Sequence, residues 1–259
     1  MIINEKRTNF KYNFIVMTHL KKISTTHPKH TDKKKAENSI KKFQEEIFKL
    51  QNVLYAQQKH SLLIILQGMD ASGKDGTIKH VFSCVNPQGC NVKSFKSPTE
   101  EEKKYDYLWR IHAHIPPKGM MQIFNRSHYE DILFPTVHNL LPKKLIHKRF
   151  KEINEFEEQL KENGTVIIKF FLHISKKEQS KRLKDRLTDS HKKWKYDPGD
   201  KEEAKNWDEY MKVYEHIIDR CGHSIPWHIV PSDDKWYRNY YVAKTIADKL
   251  KSLKMTYPS

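Results

Sequence analysis

Lys74 ends a G-x-x-x-x-G-K pattern with Gly68 and Gly73, in the stretch LLIILQGMDASGKDGT at residues 62–77. Glycines there let backbone N–H groups approach phosphate oxygens, and the lysine neutralises their charge, so the chemistry indicated is phosphoryl transfer. The next position departs from the usual rule, since Asp75 stands where Ser or Thr would hold a magnesium ion. Asp70, inside the loop, is an oxygen donor suited to a hard cation, and Thr77 offers a hydroxyl one helical turn on. Gly68, Ala71, Ser72, Gly73, Asp75, Gly76 and Thr77 thus make a candidate phosphate cradle. A second polar cluster, NRSHYED at residues 125–131, follows another apolar run. There Arg126 has the planar fork that stabilises a transferring phosphoryl group, and Glu130 or Asp131 could hold the metal or its water. Asn125 or Ser127 could equally cap a helix, with the acidic residues favouring its dipole.

These groups need a scaffold. Apolar runs at 62–67, 91–96, 121–125, 165–174 and 227–230 alternate with helical patterns, which predicts βαβ units and a parallel sheet with helices on both faces. Ligands on such a sheet sit at the carboxyl ends of its strands, where both polar clusters fall. Before the first strand, Ile40, Phe43, Ile47, Leu50 and Leu54 recur at helical spacing and predict an amphipathic helix over 33–55. Residues 1–35 are rich in Lys, Asn, Thr and His and are expected to form a mobile basic arm, with Met17 as a second candidate start. Residues 36–259 are read as one domain; at 259 residues the chain is long enough to bury roughly 75% of its unfolded surface.

Forty-eight Lys and Arg against 32 Asp and Glu give a formal charge of +16, which favours a polyanionic partner by long-range attraction. Cys84, Cys90 and Cys221 have no C-x-x-C spacing, which argues against a disulfide scaffold or a structural zinc site. The spacing of His112, His114, His128 and His138 gives no zinc motif either. No run approaches the roughly 18 apolar residues of a membrane helix, and the expected location is the cytoplasm. Arg182 and Arg186 share a helix face four residues apart, with Lys192, Lys193 and Lys195 beyond them in a segment where Pro198 and Gly199 are expected to break the chain. Lys59 and His60, before the first strand, are weaker candidates for contact with a polyanion.

The segments GMDASGKDGTIKHV, NPQGCNVKSFKSPTEEE, DYLWRIHAHIP, IFNRSHYEDIL, WKYDPGD and PWHIVPSDDKWYRNYYVA together resemble the polyphosphate kinase 2 family, from about residue 43 to 250. The resemblance implies a P-loop kinase-like three-layer α/β fold with about five strands. It implies reversible transfer of a terminal phosphate between inorganic polyphosphate and a nucleotide, with Mg²⁺ or, as a substitute, Mn²⁺. Asp70, Lys74, Arg126 and Glu130 then match the family's catalytic positions, Asp70 and Glu130 as metal ligands, and the loop G-K-D-G-T accounts for Asp75. Residues of about 180–200 resemble a basic lid whose Arg182, Arg186, Lys192, Lys193 and Lys195 would close on phosphates. Where relatives often carry arginine before V-H, this chain has Thr136, so a phosphate contact from an arginine is not expected at that position. The wording most resembles the subgroup acting on both AMP and ADP. The implied partners are polyphosphate and adenine nucleotides, with guanine nucleotides as further acceptors, and family members are commonly homo-oligomers. Two other readings are an ATP-dependent nucleotide kinase on the same fold and a non-enzymatic nucleic-acid-binding protein.

Overall fold

The computed structural model describes residues 18–191, 193–195 and 198–258. In chain order its main elements are α1 (Lys33–Gln57), β1 (Ser61–Gln67), α2 (Lys74–Val81), β2 (Cys90–Ser94), α3 (Trp109–His112), β3 (Met121–Asn125), α4 (Glu130–Val137), α5 (Lys143–Glu162), β4 (Thr165–His173), α6 (Lys176–Thr188), α7 (Pro198–Glu203), α8 (Trp207–Arg220), β5 (Trp227–Pro231) and α9 (Lys235–Ser252). All five predicted strands are present, with ends shifted by one or two residues at most. They form one parallel sheet in the order β2-β3-β1-β4-β5.

The continuous apolar run of β1 is explained by burial on both faces. Leu62, Ile64 and Leu66 pack with Ile47 and Leu54 of α1 and with Val242, Ile246 and Leu250 of α9. The alternate residues Leu63 and Ile65 join Ile132 of α4, Phe150 and Ile153 of α5 and Tyr214 and Ile217 of α8 on the other face. Side chains alternate along a strand, so only a strand buried on both faces can be apolar at every position. α1 is capped by Asp32, whose carboxylate accepts from Lys35 N at 2.8 Å, and ends at Gln58 in left-handed backbone. None of the described helices is long and apolar enough to cross a membrane.

β1 is flanked by β3 on one side and β4 on the other, so chain order reverses around it. A crevice opens at the carboxyl end of a sheet at such a switch point. The loop after β1 and the turn after β3 therefore meet although they are more than 50 residues apart.

Two expectations are corrected. The segment 1–35 is no mobile arm in its described part. Leu20 is fully buried, Thr18 N and Leu20 N donate to the carboxylates of Asp219 and Glu215 at 2.9 and 2.8 Å, and Thr25 Oγ1 donates to Asp233 at 2.8 Å. Polar residues with few apolar neighbours in sequence are held there by partners about 200 residues away; Met17 lies outside the described residues. Pro198 also begins a helix rather than breaking the chain, because proline's fixed φ and missing N–H suit a first helical position.

Candidate active site

The loop from Gly68 to Lys74 is shaped by positive φ angles, +148° at Gly68 and +107° at Gly73. A methyl group on Gly68 would lie 2.7 Å from Leu172 O, so the loop can pass β4 only without a side chain there. Lys74 occupies the first position of α2 and is buried, with its ammonium donating to Gly68 O at 2.7 Å and Met69 O at 3.2 Å. Burial, with the nearby Arg126 charge, lowers its pKa to about 8, although Asp70 and Glu130 pull the other way. The Ser72 hydroxyl is buried in the loop with no hydrogen-bond partner among the described residues.

Arg126 has φ +64°, uncommon for a residue with a Cβ and the kind of local strain that clusters at functional sites. Its N–H donates to Leu66 O at 3.0 Å, which fastens the β3 turn to the end of β1. The guanidinium is ion-paired with Asp70. Burial raises the Asp70 pKa, but the Arg126 and Lys74 charges outweigh it and hold the carboxyl below its usual value. Burial dominates at Glu130 and raises its pKa, with Arg126 and Lys74 opposing. Gly68, Asp70, Arg126 and Glu130 line one cavity of about 430 Å³, whose lining also includes the apolar Phe134, Pro135 and Leu140. Asp70 and Glu130 at one cavity wall are the donor set a hard divalent cation accepts, one or two carboxylates with the rest from substrate phosphates.

The other expected residues divide. Asp75 accepts from Asn125 Nδ2 at 2.8 Å and ties α2 to the β3 turn. The Thr77 hydroxyl is turned to Gly73 O at 3.1 Å, inside its own helix, instead of into the cavity. Arg182 is not a lid cation facing the cavity. It is buried under the loop and donates to Ala71 O, Ser72 O, Ser232 O and Asp233 O at 2.8 to 3.1 Å. Arg186 pairs with Asp200 of α7. Lys193 is exposed, Lys195 lies in the same short 3₁₀ turn, and Lys192 is outside the described residues. Thr136 bonds Ile132 O at 2.6 Å within α4. Lys59 and His60 sit at the amino end of β1, away from the crevice.

Several contacts of the site come only from the fold. Asp131, one of two candidate metal carboxylates, is engaged by the buried Arg110 at 2.9 Å, which leaves Glu130 as the carboxylate beside Arg126. Gln179 Nε2 donates to Asp70 O at 3.1 Å. Glu203 of α7 reaches His138 at 3.1 Å and the Tyr210 hydroxyl at 2.5 Å, closing one wall of the cavity. Behind the β3 turn, His128 and Tyr129 meet Glu157, which pairs with fully buried Lys169 at 2.6 Å. No local spacing signals these contacts, because each joins elements brought together only by folding.

The family model described as Polyphosphate kinase 2 (PPK2) matches residues 30–258. The chain belongs to the polyphosphate kinase 2 family. It is 49% identical over 211 residues to an AMP/ADP-polyphosphate phosphotransferase of Meiothermus ruber, covering 81% of this chain and 79% of the relative. It is 43% identical over 227 residues to an ADP-polyphosphate phosphotransferase of Rhodopseudomonas palustris, covering 83% and 78%. The crystal structure of polyphosphate kinase 2 from Arthrobacter aurescens superposes with a TM-score of 0.90 at 38% identity, over 93% of this chain and 88% of that one. The five-stranded parallel sheet with helices on both faces is thus the fold of polyphosphate kinase 2 structures.

Proposed function

We propose that this polyphosphate kinase 2 family member transfers a terminal phosphate reversibly between inorganic polyphosphate and a nucleotide, with AMP and ADP both as acceptors. The observation that carries this reading is the convergence of Asp70 from the β1 loop with Arg126 and Glu130 from the β3 turn on one cavity, with the buried Lys74 ammonium close enough to feel the charge of all three. Phosphoryl transfer asks little covalent chemistry of a protein and much positioning and charge stabilisation, which four such groups supply. The Lys74 ammonium leaves the Gly68 carbonyl for phosphate oxygens, and the loop N–H groups hold the same anion. Arg126 turns from Asp70 to the transferring group as charge spreads over its equatorial oxygens. Asp70 and Glu130 would hold Mg²⁺, which when bound would offset the charge of the phosphates. The apolar lining residues Phe134, Pro135 and Leu140 suit a nucleoside, and α7, held to His138 and Tyr210 through Glu203, keeps water from the centre.

The test is turnover by the purified protein with polyphosphate and Mg²⁺, giving AMP and ADP separately and resolving all three adenine nucleotides. ADP and ATP formed from AMP are expected, with a silent control of ADP without polyphosphate. Product with ATP but not polyphosphate as donor would overturn the proposal and favour an ordinary nucleotide kinase.

A further inference from the structure

Arg238 of α9 lies beneath the phosphate-binding loop with 2% of its surface exposed. Nη1 donates to Ser72 O at 3.3 Å, while Nε and Nη2 donate to Asn239 Oδ1 at 3.3 and 3.0 Å. A methyl group on Gly73 would fall 1.8 Å from Nη1, and one on Gly76 3.2 Å from Nη2. The guanidinium therefore rests against the underside of the turn that begins with Lys74. Each of these hydrogen bonds goes to a neutral oxygen, and no carboxylate pairs with Arg238 among the described residues. The charge that acts on it is a second cation, Arg182, which itself has Glu178 at 2.9 Å.

A buried charge without a counter-ion is costly, and proteins ordinarily pair it. Burial and the Arg182 charge push the Arg238 pKa down to about 9, the direction expected for a cation lacking its partner. Hydrogen bonds to the loop could be made by a neutral amide; a full charge serves only if something completes it. The face of the loop opposite Arg238 is where backbone N–H groups and Lys74 would receive an anion.

We propose that Arg238 is a positioning residue whose counter-ion is the inorganic polyphosphate bound in the loop above it. Its charge acts through the loop backbone and raises affinity for that anion at the expense of the ligand-free fold. This rests on the reading of residues 68–77 as a phosphate site.

Asn239→Asp tests it, because an isosteric carboxylate at the accepting atom keeps the hydrogen bonds and cancels the charge. Binding of tripolyphosphate to the full chain is measured by titration calorimetry near neutral pH without nucleotide, together with ligand-free melting. At an effective dielectric near 20, cancelling one charge beneath the loop is expected to weaken binding at least on the order of tenfold. The expected result is that loss with a melting temperature equal to or above wild type. Arg238→Met is expected to show a similar loss, and Arg238→Lys to stay within about threefold of wild type. Unchanged affinity in Asn239→Asp, or a fall in its ligand-free melting temperature, would overturn the proposal while leaving the phosphate site in place. No binding by the wild type would overturn both.

Discussion

Replacing Lys74 by methionine is expected to stabilise the ligand-free protein while abolishing turnover. Burial and Arg126 hold the Lys74 pKa at about 8 against 10.5 for a free side chain, a penalty of about 3 kcal/mol on the charged form. Methionine removes that penalty but forfeits the bonds to Gly68 O and Met69 O, about 1 to 2 kcal/mol together when counted for the neutral amine to which the penalty is referred. The balance favours the variant by about 1 to 2 kcal/mol near neutral pH, or roughly 3 to 6 °C in melting temperature for a chain of this size. The pH dependence has a definite sign. Below about pH 8 the folded protein carries the whole penalty. Between pH 8 and 10.5 the unfolded chain binds more protons than the folded one, so wild-type stability rises with pH and the variant's advantage fades. Denaturant unfolding of both proteins at several pH values across this window measures the difference, and polyphosphate-dependent turnover, expected to fall at least about 10³-fold, measures the function. The same titration should lower wild-type kcat/KM for polyphosphate above about pH 8, as the free enzyme loses its ammonium. A variant less stable than wild type near neutral pH, or an advantage that does not vary with pH, would refute the reasoning.

Glu130→Gln is expected to lower turnover by roughly 10² to 10³-fold and to raise the divalent cation concentration needed for half-maximal rate, read from activity against Mg²⁺ concentration. Gly73→Ala combines a φ of +107° with a Cβ 1.8 Å from buried Arg238 Nη1; a loss of about 3 to 5 kcal/mol should appear in denaturant unfolding. Glu157→Gln leaves the Lys169 ammonium buried without its carboxylate, costing about 3 to 5 kcal/mol, and replacing both by apolar residues should recover most of it. An unaltered unfolding midpoint in the single variant would contradict that account.

The two polar clusters were legible because each is contiguous. The loop pattern from Gly68 to Lys74 and the run from Asn125 to Asp131 both follow strands whose unbroken apolar character announces burial on two faces. Resemblance to the family then chose Glu130 over Asp131, and the fold agrees, since Arg110 already occupies Asp131. Helical spacing sets Arg182 on one face with Arg186, and the family resemblance makes both lid cations. Spacing places two residues on a helix face but does not say what that face meets, and the Arg182 side meets the underside of the loop. The same limit explains residues 18–32. Their composition suggested an unpacked arm, and composition carries no record of the Asp219, Glu215 and Asp233 carboxylates that bind them.

The sequence by itself determined the strand and helix order and the G-x-x-x-x-G-K loop with the chemical types of its residues, because these depend on local pattern and residue type. The tertiary structure alone decided which charges share a cavity and which are buried without a partner. Charge interactions depend on distance and burial, and both are properties of the packed sheet and its covering helices, where neighbours such as Ser72 and Arg238 are 166 positions apart in the chain.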